Sequence, residues 1–445
     1  MNMKNKIKIC LLVLLILVMV TSVVYSAEED YDSEISKIKM GINTVWVLIA
    51  AFLVFFMQAG FGMVEAGFIR AKNTVNILMK NLLDFSMASI AYYIFGFGIM
   101  FGVGNLFFGK TGFFLQNIPA EMNGIPTLAF WLFQVCFAGA AATIVAGALA
   151  ERLKFKAYII YSFIISALVY PLVGHWIWGN GWLMQIGFLD FAGSTVVHAV
   201  GGCAAFVGAA LLGPRLGKYG HDGKPKAILG HNLPLAALGT LILWFGWFGF
   251  NPGSTLSGMD AHLIAKVAVN TNLAAAAGSI IAMIVTWIKF GKPDFGMTMN
   301  GALAGLVAIT AGCAFVQPLS AITIGAIAGI IVVYGVMFMD KVMVDDPVGA
   351  IAVHGMCGIF GTLVVGIFHE TNGLIVGAGL NLLGIQALGT FTVALFVIVS
   401  MFVLFKILDM TIGLRVSRED ELRGVDLSEH QAEAYADFPM SASNN

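Results

Sequence analysis

Charge is what this 445-residue chain has least of. Asp, Glu, Lys and Arg together make up 11% of it, where soluble domains carry about 25%. A large water-soluble fold is excluded. Basic residues form no cluster outside short connecting segments, so nucleic acid has no support as a partner. Cysteine is also sparse, with five in all and no CxxC spacing. Cys10 lies in the first apolar run, and Cys136, Cys203, Cys313 and Cys357 lie in later ones. They read as buried thiols, not as disulfides or metal ligands. No HxxxH or HExxH pattern is present either, so no metal site and no cofactor is expected.

Apolar residues fill the space that charge leaves. They make up 59% of the chain, and Gly adds 52 positions. This is the composition of an all-α, polytopic membrane protein, with small residues that let helices approach closely. Residues 1–27 read as a signal peptide. Lys4, Lys6 and Lys8 precede the apolar CLLVLLILVMV, and small residues near Ser26 and Ala27 follow. An uncleaved first anchor is the alternative.

Runs of about 20 apolar residues mark membrane spans. Eleven follow the signal, at about 43–68, 82–107, 128–150, 157–178, 191–213, 233–253, 262–288, 298–317, 319–340, 347–368 and 385–408. The connections after the odd-numbered spans hold most of the Lys and Arg, among them Arg70, Lys72, Lys80, Arg152, Arg215 and Lys341. Cytoplasmic loops collect these residues. The mature N-terminus is therefore expected outside and the C-terminus in the cytoplasm.

Two segments repeat one pattern. DFAGSTVVHAVGG carries Asp190 and His198, and DPVGAIAVHGMCG carries Asp346 and His354 at the same spacing. One opens span 5 and the other opens span 10. Five spans per half is odd, so the halves run in opposite directions: an inverted 5+5 repeat plus a final helix. Transporters with such repeats place their site at the repeat interface near the midplane. Eight residues of helix rise about 12 Å, which brings both imidazoles from opposite faces to mid-membrane. Two core histidines bonded to backbone are the alternative, but polar groups at that depth usually mark a pathway. Asp190 and Asp346 sit at helix starts, where capping of the first turn explains both.

A histidine pair at mid-membrane suits a proton relay, or a narrow channel where imidazoles are the sole polar partners of a small solute. Aromatic residues gather at the outer end: Trp176, Trp178 and Trp182 after span 4, Phe133 and Phe137 in span 3, and Trp244, Trp247, Phe250 and Ser254 in span 6. A cage for a small cation and an interfacial aromatic belt both fit these residues.

DFAGSTVVHAVGG, WFGWFGFNPGS, HNLPLAALGT and DDPVGAIAVHGMCGIFG together resemble the ammonium transporter (Amt/Mep/Rh) family, on its Amt branch. GLRVSREDELRGVDLSEHQAEAY resembles that family's cytoplasmic tail. The resemblance implies a channel domain over 28–414, a regulatory tail over 415–445, a homotrimer in the plasma membrane and no enzymatic activity. It implies ammonium and methylammonium as substrates, taken up as nitrogen sources, with membrane lipids around the trimer and a PII-type regulator at the tail. By similarity Trp178, Phe137 and Ser254 form the outer ammonium recruitment site, and Phe137 and Phe250 the phenyl gate below it. His198 and His354 are then the pore pair, Trp247 and Thr310 line the pore, and Asp190 supports the recruitment site without touching the ion. A membrane ammonium sensor that signals through its tail is the alternative function. A metal-dependent membrane enzyme is disfavoured by the missing ligands.

Overall fold

The computed structural model describes residues 2–436, and for 22–32 the backbone alone. Most of it is helix; among the described residues the one sheet is a two-residue ladder pairing Glu121–Met122 with Ile125–Pro126. Among the described residues ten helices are long and apolar enough to cross a membrane. In chain order they are span 1 (Ser33–Phe68), span 2 (Ala71–Phe101), span 3 (Thr127–Ala148), span 4 (Phe155–Gln185), span 5 (Ser194–Leu212) and span 6 (Leu233–Thr255). Span 7 (Ala261–Phe290), span 9 (Pro318–Lys341), span 10 (Ile351–Phe368) and span 11 (Asn381–Thr411) complete the ten. A shorter apolar helix, Phe295–Ile309, takes the place of span 8. The eleven expected spans are therefore all present. The helix holding span 1 continues back to Met3, and the apolar side chains of its first stretch, such as Leu12 and Leu14, are exposed.

Two limits differ notably from the sequence reading, each for a physical reason. Span 2 begins earlier than residue 82, because Asn73 and Thr74 start a helix at once after a single 3-10 turn. Lys80, expected in a loop, is consequently a fully buried residue of that helix and donates to the Leu153 carbonyl at 3.1 Å. Span 8 stops at Ile309 instead of reaching 317. The backbone groups that this break frees are re-paired inside the protein. Asn270 Nδ2 donates to the carbonyls of Cys313 and Val316 at 2.9 and 2.8 Å, and Ser194 Oγ donates to Val307 O and accepts from Ala311 N, both at 2.7 Å. Irregular backbone at membrane depth needs such replacement partners.

Close helix packing rests on small residues. A Cβ on Gly325 of span 9 would lie 2.1 Å from the Ala274 carbonyl of span 7, so only glycine permits that approach. The four cysteines of the spans are buried and unbridged, as expected.

The face carrying the basic loops, called inner here, is tied together by a buried ion network. Arg215 donates from Nε and Nη2 to Asp345 at 2.8 and 3.0 Å and also pairs with Glu151 at 3.4 Å. Arg70 pairs with the other side of Glu151. Burial raises the pKa of Asp345, but the hydrogen bonds and charge of Arg215 outweigh it and hold the carboxyl at about 2. The tail folds back over this face. Asp426 accepts from the first-turn N–H groups of Val75 and Asn76 at 2.9 and 2.8 Å, and Glu429 accepts from Phe155 N at 2.9 Å. Two tail carboxylates thus cap the inner ends of spans 2 and 4, where the helix dipole favours negative charge.

Candidate functional site

The two repeat segments fold alike. At the start of span 5, Asp190 accepts four backbone N–H bonds: from Gly193 and Ser194 on Oδ1 at 3.0 and 2.8 Å, and from Thr195 and Val196 on Oδ2 at 2.8 and 2.9 Å. A helix leaves four orphan N–H groups at its start, and one carboxylate takes them here. Asp346 does the same for span 10, accepting from Gly349 and Ile351 at 3.0 and 2.7 Å. Gly193 and Gly349 turn the chain into each helix with φ of 114° and 82°, a conformation that side chains resist. Each histidine then falls within a π-helical turn, Ser194–Ala199 and Ile351–Met356. Such turns are frequent at functional sites. The capping role expected for Asp190 and Asp346 is what the geometry gives.

Four residues after each histidine stands a matched glycine, and there the two helices touch. A Cβ on Gly202 would lie 2.1 Å from Gly355 N, and one on Gly358 would lie 2.6 Å from the Ser194 carbonyl. With backbone against backbone, the imidazoles meet: His198 Nδ1 and His354 Nδ1 are 3.2 Å apart, with ring centroids 5.2 Å apart. One Nδ1 must donate and the other accept, so the two neutral rings are opposite tautomers. His198 is fully buried, and its Nε2 has no hydrogen-bond partner among the described residues.

A file of rings runs on either side of this pair. His198 stacks beneath Trp247 and Phe250, with centroids 5.2 and 5.4 Å away and interplanar angles of 20° and 25°. Phe250 faces Phe137 at 4.2 Å, tilted by 40°, and Phe137 meets Trp178 edge-on at 6.2 Å. Phe61 continues the file beyond His354, with centroids 6.0 Å apart. Trp247 is locked in place by its Nε1–H, which donates to Thr310 Oγ1 at 2.9 Å. Trp178 donates from Nε1 to the Asp190 carbonyl at 2.7 Å. Asp190 therefore positions both the helix bearing His198 and the ring of Trp178.

Above Phe137 opens a cavity of about 220 Å³ whose wall includes Trp178, Phe133, Phe137, Phe191, Gln134 and Ser254. Ser254 Oγ donates its proton to the Phe250 carbonyl at 2.8 Å, which leaves its lone pairs for an occupant. Gln134 Oε1 is buried without a partner among the described residues. The sequence reading passed over Gln134, although it stands between Phe133 and Phe137 in an apolar run, and a lone amide there was the available signal. The cavity thus offers aromatic faces and acceptor oxygens, those of Ser254 and Gln134 among them, with no carboxylate in its wall. Small cations bind such surfaces. Of the other aromatic residues read from the sequence, Trp176 packs on Phe396 and donates to the Phe107 carbonyl at 2.9 Å, outside the cavity. Trp244 also lies outside its wall. Among the described residues, no group of three or more His, Cys, Asp or Glu side chains is arranged to hold a metal ion.

The profile of the Ammonium Transporter Family matches residues 45–435. Ammonium transporter Amt2 of Archaeoglobus fulgidus is 47% identical over 97% of this chain and 96% of its own length. Ammonium transporter 1 member 3 of Solanum lycopersicum is 39% identical over 88% of this chain and 93% of its own. Among solved structures, one described as a sensor Amt protein aligns with a TM-score of 0.85 at 41% identity, covering 88% of this chain and 99% of that one. Candida albicans Mep2 aligns with a TM-score of 0.80 at 29% identity, covering 90% and 92%. The chain belongs to the ammonium transporter family, a family of transporters and not of enzymes.

Proposed function

We propose that this protein conducts ammonium across the plasma membrane along the ring file, with the cavity at Trp178, Phe137 and Ser254 as its outer recruitment site. The observation that carries the reading is the 3.2 Å contact between the two histidines, directly below the Phe137–Phe250 constriction. Ammonium enters the aromatic cavity and donates to Ser254 Oγ. Cation–π attraction holds it there, worth about 2 kcal/mol or more once desolvated. Passing the two phenyl rings strips its water. A charged side chain at mid-membrane is penalised by about 2.5–3.5 kcal/mol on insertion scales, and loss of a proton removes most of that cost. Neutral ammonia then passes the imidazoles, and the proton returns outward or follows along the pair. Potassium has no proton to lose, and this supplies selectivity.

Three such pores assemble as a homotrimer in this reading. The mature N-terminus faces outward after cleavage near residue 27, and the C-terminus faces the cytoplasm. The packed tail offers its outer surface to a PII-type regulator. Uptake of labelled methylammonium into liposomes that hold only this protein tests the proposal; folded protein without uptake would overturn it.

A second reading is favoured by the name of one similar structure, a sensor Amt protein, and by the tail's grip on spans 2 and 4. In it, occupancy of the pore is reported through the tail. Ammonium-dependent protection of residues 415–436 from hydrogen exchange, in protein that shows no flux, would favour that reading.

A further inference from the structure

Beyond His354, at the inner end of the ring file, lies a second and much smaller cavity of about 20 Å³. A space of that size holds one water-sized particle. Its wall is apolar except for Glu65, Asn300 and His354. Glu65 sits one turn before the end of span 1 and is only 3% exposed. Its Oε2 accepts from Asn81 Nδ2 at 2.7 Å, and Asn81 is fixed in turn by Thr143 Oγ1, which donates to Asn81 Oδ1 at 2.9 Å. Oε1 lies against Gly147, whose backbone N–H also bonds the carboxyl, and near Val348: a Cβ on Gly147 would meet Oε1 at 3.2 Å and Val348 Cγ2 at 2.4 Å. Asn300 spends an amide N–H on the Val348 carbonyl at 3.1 Å, so its carbonyl oxygen is the group left for an occupant.

Glu65 and Asn300 therefore present acceptors: a carboxylate and an amide oxygen. Ammonium is water-sized, has only donors and carries the complementary charge. Holding Asn81 does not by itself call for a carboxylate, since a glutamine carbonyl accepts the same bond. Burial disfavours a charged carboxyl unless something pairs with it; no Lys or Arg forms an ion pair with Glu65 among the described residues, and a cation in the cavity would supply that pairing. We propose that Glu65 forms an inner ammonium-binding site, with Asn300 and His354 as its other polar walls. Ammonia that has passed the imidazoles is held there once it regains a proton as ammonium, and an outward-moving cation meets this site first. This inference rests on the transport reading above.

The test compares the unaltered protein, Glu65→Gln and Glu65→Asp in liposomes with a single orientation, with ammonium applied from either face. Hydrogen bonds to a charged group contribute about 1.5–3 kcal/mol, so Glu65→Gln should raise the half-saturating concentration on the inner face by about tenfold or more. The outer half-saturation should stay unchanged, and Glu65→Asp should recover part of the inner affinity. A merely structural Glu65 would lower the amount of folded protein and leave the ratio of the two faces alone; that outcome overturns the inner site. Absence of flux in the unaltered protein overturns the transport reading instead. If neither variant folds, crystals of the unaltered protein soaked in thallous acetate decide. Density beside Glu65 supports the site, and an occupied outer cavity with an empty inner one refutes it.

Discussion

His198 and His354 face each other through the same atom, Nδ1, at 3.2 Å. The shared atom follows from the repeat: each half delivers its imidazole from an equivalent turn of an equivalent helix. Replacing His198 by Ala leaves His354 Nδ1 without its partner and opens space beneath Phe250. The fold should survive, because the helices are held by their caps and glycines. Flux of methylammonium should fall by about tenfold or more, or potassium should begin to pass. Paired flux and potassium-competition assays check this; a variant unchanged in both returns the histidines to a structural role.

Ser254 contributes one acceptor to the outer cavity, and its proton is already committed to Phe250. Ser254→Ala should raise the outer half-saturating concentration by about two- to tenfold, as expected for one hydrogen bond of about 0.5–1.5 kcal/mol. The maximal rate should change little. Concentration-dependent uptake separates the two quantities.

Asp190 answers four N–H groups and holds Trp178 through its carbonyl. Asp190→Ala leaves those donors buried and unpaired, at about 1–3 kcal/mol each before relaxation. It should lower the melting temperature in detergent and abolish flux. Asp190→Asn keeps one acceptor oxygen and should fall between. A Ser254-like phenotype, with affinity lost and stability intact, would contradict the capping role.

The inner ion network should show itself in acid. Asp345 is held at about 2, below its ordinary 3.8, so the folded state keeps its proton off longer than the unfolded chain does. Its contribution, roughly 2 kcal/mol, is complete above pH 3.8 and disappears as pH falls toward 2. Asp345→Asn should therefore be less stable near neutrality, with the gap to the unaltered protein narrowing across that acid window. Unfolding midpoints in denaturant at several pH values measure the gap.

Much of this was legible in the sequence because the repeat kept its spacing. Asp190 with His198, and Asp346 with His354, stand eight apart in both halves, and helix rise then places the rings at equal depth. Caps were legible for the same local reason. Contacts between distant helices were not. Glu65, Asn81, Thr143 and Tyr158 come from four different spans, and Tyr158 reaches Asp84 on span 2 at 2.5 Å without any sequence pattern announcing it. Glu65 looked like the end of an apolar run, and Lys80 looked like a loop residue, because periodicity does not report what covers a helix end. Three ionisable residues so near one another, Glu65, Lys80 and Asp84, were the signal available. Among the tryptophans only packing separates Trp178, which enters the cavity wall, from Trp176, which turns toward Phe396.

The glycine crossing limits how this molecule can move. Gly202 and Gly358 bring main chain onto main chain with no side chain between them to swing or slide. Rocking one half against the other would tear that seam and part the imidazoles. In the proposed transport reading the pore is accordingly an aperture of constant shape, offered to the same passenger from both ends. On that reading its speed would be set by how fast the passenger sheds and regains water and a proton, with no hinge to wait for.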